Sequence, residues 1–231
     1  MKKLGIVIPT YNEEKIIDRT QEMISLFSDL CDIVFSDGHS TDKTYEKINF
    51  KKIQRTRYRS NQMNEGAKEL TNDKLLFLHA DSKISRDGVL ELLERDYDYG
   101  CFKIKFEPTS LFLKSIEWGS NFRVKHRHIA FGDQGIFIKR ELFEKIGGFK
   151  PLPLMEDYEL SLTLQEMGIY PKLLESEITT SSRRFINNGN LKTLFRMQKY
   201  QKMYRDARER GDIFSCAEEI EKKYRSQKWM Y

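Results

Sequence analysis

Short apolar runs alternate with polar, turn-forming clusters along the chain. Residues 4–8 form an uninterrupted apolar run stopped by Pro9, as expected of a buried parallel strand. Ile16, Ile17, Met23, Ile24, Phe27 and Leu30 then recur at helical spacing, and residues 32–35 form a second apolar strand. The pattern predicts a weaker third strand near residues 52–57, a helix over 61–70 and a fourth strand over 74–78. A helix over 87–95 precedes a half-exposed strand over 101–106, in which Lys103 and Lys105 alternate with Phe102, Ile104 and Phe106. Next come a helix over 111–122, a strand over 136–138, a short helix over 140–146 closed by Gly147-Gly148, and a helix over 157–167 ended by Gly168. Two basic helices are expected at 191–208 and 214–225, parted by Gly211-Asp212.

This alternation predicts an α/β fold whose parallel sheet is covered by helices on both faces, with a ligand crevice at the carboxyl ends of the strands. The 231 residues suit one large domain with a short appendage. With 39% hydrophobic and 32% charged residues, the composition excludes a disordered or fibrous chain. No apolar run is long enough for a signal peptide or a membrane span, so a cytoplasmic location is expected. Cys31, Cys101 and Cys216 lie far apart, which argues against a disulfide framework or a structural zinc site. The net charge of +5 is uneven: from Arg183 onward 13 Lys/Arg face 6 Asp/Glu, so the basic surface belongs to the tail.

Four polar clusters carry candidate chemistry. Pro9-Thr10-Tyr11-Asn12-Glu13-Glu14 places an aromatic ring and two carboxylates at a helix start. A flat base could stack there, although first-turn glutamates also simply complement a helix dipole. The second strand runs into Ser36-Asp37-Gly38-His39-Ser40-Thr41-Asp42, where Asp37 either caps a turn or accepts the imide N–H of a uracil ring. The fourth strand ends in His79-Ala80-Asp81, and strand periodicity puts His79 and Asp81 on one side. A carboxylate there suits Mg²⁺ or Mn²⁺ bridging diphosphate oxygens, because these cations take one or two carboxylates plus substrate phosphates. Leu154-Met155-Glu156-Asp157 sets adjacent carboxylates at a helix start, where acidic residues also complement the dipole.

In this joint order the clusters resemble the family 2 glycosyltransferases of the GT-A fold. That family's pattern opens with a strand ending in Pro-x-Tyr-Asn-Glu and continues with an Asp-Gly-x-Ser-x-Asp turn, an acidic metal motif, Gly-Gly-Phe and Glu-Asp. The matching residues are Pro9 to Glu13, Asp37 to Asp42, His79-Ala80-Asp81, Gly147-Gly148-Phe149 and Glu156-Asp157, and the likeness spans residues 3–185. The stretches Gln62-Met63-Asn64-Glu65-Gly66-Ala67, Gly132-Asp133-Gln134-Gly135 and Ser182-Arg183-Arg184 further resemble one bacterial subgroup of family 2-like transferases. The resemblance implies a GT-A domain over residues 1–185, with a mostly parallel sheet, followed by a basic helical extension over 186–231. It implies inverting transfer from a nucleoside-diphosphate sugar, most simply a UDP-sugar, to an acceptor hydroxyl in cell-surface glycan or glycolipid synthesis. Asp157 matches the base, with Glu156 beside it, and Asp81 matches the ligand of a Mg²⁺ or Mn²⁺ ion. The nucleotide-sugar is expected near Pro9, Thr10, Tyr11, Glu13, Asp37, Gln62, Asn64, Ala80, Asp81, Asp133 and Gln134, with Arg183 and Arg184 for the leaving-group charge. One departure stands out: the usual Asp-x-Asp motif has His79 at its first position. That imidazole either touches the donor or a metal-bound water, or is a hydrogen-bonded structural group.

Other classes fit less well. A sugar nucleotidyltransferase would carry a Gly-rich, basic loop where this chain has Tyr11 to Glu14, and GxxxxGK[ST] is absent. The altered metal motif would suit a non-catalytic sugar-binding relative, but Glu156-Asp157 argues for an enzyme. The tail mixes cations with Phe195, Tyr200, Tyr204, Phe214, Tyr224 and Trp229, and no nucleic-acid motif accompanies them. It therefore suits either peripheral contact with an anionic membrane or packing against the domain or a second subunit.

Overall fold

The computed structural model describes residues 4–56, 58–182, 185 and 190–225. Strand β1 (Leu4–Thr10) is buried at every position and lies between β2 (Cys31–Asp37) and β4 (Lys74–Phe77), parallel to both. Strand β3 (Lys51–Gln54) extends the sheet beyond β2. On the other side come β6 (Ile136–Lys139), β5 (Tyr99–Glu107) and β7 (Lys172–Ser181), giving the order β3-β2-β1-β4-β6-β5-β7. β6 runs antiparallel to both its neighbours, so the sheet is mostly rather than wholly parallel. The antiparallel strand begins just after a 3₁₀ turn (Gly132–Gln134), beside the carboxyl end of β4, and runs back from there.

Pro9 continues β1 rather than ending it. The Thr10 carbonyl accepts from Gly38 on the β2 side and the Val7 carbonyl accepts from Leu78 on the β4 side, so residue 9 points toward β4. The β1–β4 pairing has ended at Val7, and the missing proline N–H leaves no ladder bond unmade. β7 lacks a clean apolar signature in the sequence. Leu174, Ile178 and Thr180 point inward, but Leu173 is out of phase with them, at a register shift opposite Cys101 and Lys103. Its glutamates pair across the ladder, Glu175 with Lys103 and Glu177 with Lys105.

Two layers of helices cover the sheet. α1 (Ile17–Ser25) and α4 (Arg86–Glu94) bury Ile17, Ile24, Val89 and Leu92 against the even-numbered positions of β1. A single turn, α2 (Thr44–Lys47), follows the β2 loop. The opposite face receives α3 (Arg59–Lys68), α5 (Leu111–Arg127), α6 (Arg140–Lys145) and α7 (Glu156–Glu166), which pack Met63, Val124, Phe143 and Leu160 around Val7 and Phe77. Helices α8 (Asn190–Glu209) and α9 (Ile213–Arg225) form a third cluster, in which Tyr200, Tyr204, Ala207, Ala217 and Ile220 enclose Leu152, Met155 and Tyr158. The tail is therefore packed onto the helix that carries Glu156 and Asp157.

Within that contact lies a buried carboxylate. Glu159 is 1% exposed and accepts from Tyr204 Oη at 3.0 Å and Arg208 Nε at 2.9 Å, with Lys150 and Thr163 on its other oxygen. Arg205 donates to Tyr158 Oη at 2.8 Å, and Arg208 also pairs with Glu166. Several of the tail's cations thus serve the intramolecular dock.

Candidate active site

The strand ends form a crevice whose loops hold one another through short polar side chains. Asp37, fully buried at the end of β2, accepts from Thr10 Oγ1 at 3.2 Å, from the Ser40 amide at 2.8 Å and from Ser40 Oγ at 2.5 Å. Asn12 binds Ser40 and Thr41 through its own amide N–H and side-chain oxygen, and the Glu13 amide donates to Thr44 Oγ1 at 2.7 Å. Tyr11 and Glu13 are half-buried in this loop, beside the buried Pro9. Gln62 reaches in from α3 and donates to the Thr10 and Ser36 carbonyls at 2.7 and 2.6 Å. Gln62 and Asp37 therefore order the walls against which a base would lie.

Asn64 does different work. Its amide donates to the Phe149 carbonyl at 2.8 Å and its oxygen accepts the Phe149 amide at 2.9 Å, so it clamps the Gly147-Gly148-Phe149 turn to α3. A side chain at Gly148, whose φ is +76°, would meet that oxygen at 2.7 Å. Asn64, expected near the nucleotide, thus uses one donor and one lone pair of its amide on this backbone clamp.

The second half of the crevice gathers around Gly132. The Gly132 amide donates to Asp157 Oδ2 at 2.7 Å, while the other carboxylate oxygen accepts the Tyr158 amide at 2.7 Å. A Cβ at Gly132 would lie 2.8 Å from His79 Nε2 and 3.4 Å from Asp157 Oδ2. A side chain there would have to displace the imidazole, and His79 and Asp157 both approach this glycine. Glu156, one residue earlier, turns into the protein: it is 2% exposed and pairs with Arg59 Nε at 3.1 Å. Burial pushes the Glu156 carboxyl up to about 7; Arg59 opposes that rise and Asp157 adds to it.

Helix α5 supplies a cation that no motif in the sequence singles out. Arg123 donates to Gln134 Oε1 at 2.8 Å and lies over the Phe131 ring at 4.4 Å. Burial lowers its proton affinity from the ordinary arginine value, against the attraction of Asp133, Cys101 and Asp157. Gln134 is fully buried, and its amide reaches the Phe102 carbonyl, so it braces the 3₁₀ turn, while Asp133 is half-buried on that turn.

Ala80 is buried, its carbonyl accepting from Thr20 Oγ1 at 2.6 Å. Asp81 is half-exposed and makes no side-chain hydrogen bond or ion pair with another described residue. A lone carboxylate at a strand end fits a hard divalent cation that takes its remaining ligands from phosphates and water. No cluster of three or more His, Cys, Asp or Glu occurs among the described residues, so a metal site made by protein alone is not present there. Arg183 and Arg184 lie outside the described residues.

Backbone strain collects at the same place. Asn12, His39, Tyr58 and Met155 all have positive φ without being glycine, and they sit in the loops before or after the site-bearing elements. Met155 at φ +71° turns the chain directly into Glu156.

A mostly parallel sheet with interlocked loops at its carboxyl edge and a held carboxylate opposite is the architecture of the GT-A fold. The family profile described as Glycosyl transferase family 2 matches residues 5–149, and the chain belongs to that family. It is 26% identical to "Probable glycosyltransferase YdaM" of Bacillus subtilis (strain 168) over 211 residues, 78% of this chain and 50% of that protein. Among solved structures, S. aureus TarS 1-349 in complex with UDP-GlcNAc superposes with a TM-score of 0.62 at 20% identity, over 78% of this chain and 59% of that chain. The mannosyltransferase PcManGT from Pyrobaculum calidifontis, in complex with GDP-Man and Mn²⁺, gives 0.63 at 18% identity, over 88% and 61%. Both likenesses establish the shared fold. The chain spans about half the length of the curated relative it matches.

Proposed function

We propose that this protein transfers a sugar from a nucleoside-diphosphate donor, with UDP as the first nucleotide to test, to an acceptor hydroxyl with inversion at the anomeric carbon. The observation that carries this reading is Asp157, a carboxylate held by two backbone N–H groups beside Gly132, which His79 also approaches. Each of its oxygens accepts one hydrogen bond, which leaves acceptor capacity for a substrate hydroxyl. In the proposed step the acceptor oxygen bonds to the anomeric carbon as its proton passes to Asp157. The bond from that carbon to the diphosphate breaks, and its electron pair leaves with the nucleoside diphosphate.

Glu156 is a positioning residue in this scheme, because burial and Arg59 hold it away from the crevice. Asp81 and the donor phosphates would hold a Mg²⁺ or Mn²⁺ ion, which when bound offsets the charge that develops on the leaving group. Support for the donor class comes from the ligands of the neighbours, UDP-GlcNAc in one and GDP-Man with Mn²⁺ in another. We assign the acceptor to cell-surface glycan or glycolipid synthesis, reached from the cytoplasmic side of a membrane; the cationic tail supports that assignment.

Asp157→Asn nearly preserves shape and removes the basic lone pair. Single-turnover transfer should fall by roughly 10²-fold or more while the UDP dissociation constant changes little. Transfer at the parental rate would assign the base to another residue, with Asp133 next to test.

A further inference from the structure

We propose that the outer face of α5 is a docking surface for an anionic lipid bilayer. The helix is apolar on two opposite sides. Leu113, Ser120 and Val124 are buried against the sheet, while Leu111, Trp118 and Phe122 are 87%, 69% and 43% exposed. Steps of seven and four residues put those three side chains in one narrow stripe. The stripe is ordered: Trp118 stacks on Phe122 at 5.2 Å, and Phe122 stacks on His126 at 4.1 Å.

Helix α8 continues the surface. Met197 packs, as Ile116 does, against the cluster of Ile104, Phe106, Leu113 and Phe185, which brings the first turns of α8 near α5. There Phe195 is 68% exposed, with Lys192 and Lys199 exposed on the same side. An isolated exposed aromatic is ordinary, but an aligned, stacked set along α5, with a further exposed phenylalanine on the adjoining helix, marks a contact surface.

Charge identifies the partner. Lys114 and Lys125 are exposed on the side of the stripe, and the helix's one acidic residue, Glu117, accepts the Phe106 amide at 2.7 Å. Residues 186–205 contain no Asp or Glu. A second copy of this chain would bring a like-charged face, whereas anionic headgroups complement the cations and interfacial acyl chains take Trp and Phe. The membrane face thus lies on α5 with Phe195, not on the tail alone, because Tyr200 and Tyr204 are buried in the intramolecular dock. The same helix delivers Arg123 to the Asp133 turn, so the surface borders the candidate site. Docking itself does not depend on the proposed transfer.

The test uses the full chain carrying Trp229→Phe, which leaves Trp118 as the only tryptophan. With phosphatidylglycerol/phosphatidylcholine vesicles at low salt, its emission should shift to the blue and the protein should co-sediment. Pure phosphatidylcholine should give neither effect, and added salt should weaken both. In a chain that retains Trp229, Trp118→Ala with Phe122→Ala should lower sedimentation roughly 10-fold or more while thermal stability and UDP affinity stay parental. No binding by the parent, or equal binding by the double variant, would overturn the proposal. So would light scattering that finds a parental dimer reduced to monomer by the double substitution, because a second copy would then cover the face.

Discussion

Glu159 gives the sharpest test of how the tail is attached. Glu159→Gln keeps the shape of a side chain that is 1% exposed but removes the charge facing Arg208 and Lys150. Removing one partner of a buried pair typically costs about 3–5 kcal/mol. Two features lower that figure here: Arg208 keeps Glu166, and the Lys150 side chain is 43% exposed and can rehydrate. The expected loss is therefore roughly 2–3 kcal/mol, or about 4–12 °C in Tm for a chain of this size. Glu166→Gln is the control. That carboxylate is 62% exposed and meets the same arginine, so its loss should stay within about 1 kcal/mol. Melting followed by circular dichroism, with limited proteolysis between α7 and α8, reads both. The reasoning fails if Glu159→Gln melts within about 2 °C of the parent, or if Glu166→Gln is equally damaging.

Three further outcomes are expected. Asp81→Ala should leave UDP affinity, measured by calorimetry, insensitive to Mn²⁺; an unchanged metal response would place the ion elsewhere. Gly132→Ala should disturb catalysis more than stability, because its Cβ would meet His79 at 2.8 Å and ordinary carbon contacts begin near ~3.5 Å. A displacement of that order at a reacting group costs up to ~10²-fold in single-turnover rate, and the added substitution His79→Ala should recover part of it if crowding is the cause. Glu156 has a folded-state pKa raised to about 7 from the ordinary glutamate value. Its protonated form is therefore the one folding favours, and the parent loses stability as pH rises from near 4.5 through 7. Glu156→Gln lacks that loss, so its Tm relative to the parent should climb between pH 5 and pH 8; a flat difference would show that Arg59 keeps the carboxylate ionised throughout.

Most of the sheet and the clusters of the crevice were legible in the sequence because each strand of the first half is an apolar run ending in turn chemistry. The observed β1, β2 and β4 differ from the predicted runs by a few residues at their ends, where Pro9 misleads because its missing N–H falls outside the ladder. β7 was not legible. Its alternation is broken by the register shift at Leu173, and its charges read as surface until the lysines of β5 are placed opposite them. The direction of β6 could not be read either, because a four-residue apolar strand looks the same in both orientations. Within the site, Asp157 and Asp81 stand out by motif. Arg123 does not, since an arginine in a helix ordinarily reads as a solvated side chain, and only the fold brings Phe131 and Gln134 to it. Gln62 and Asn64 show the converse: two amides in a conspicuous motif prove to bind backbone carbonyls and amides, which motif spacing alone does not distinguish from ligand contacts.

The first turn of α7 explains why these parts depend on one another. Met155, in the left-handed region, sets the helix so that successive residues serve four neighbours. Glu156 turns to Arg59 on α3, and Asp157 to the Gly132 amide. Tyr158 packs between Phe131 and Tyr204 and accepts from Arg205, while Glu159 receives Tyr204 and Arg208. A helix turn advances about 100° per residue, so rotating it to satisfy any one of these contacts moves the other three. The tail therefore fixes the azimuth at which Asp157 is presented, while Asp157 itself is held by the Gly132 and Tyr158 amides. That coupling accounts for a buried, fully partnered Glu159 two residues from the proposed base. Its network costs desolvation, and an apolar side chain would fill the same space, but directional hydrogen bonds and ion pairs add to close packing a further restraint on rotation of the helix about its own axis.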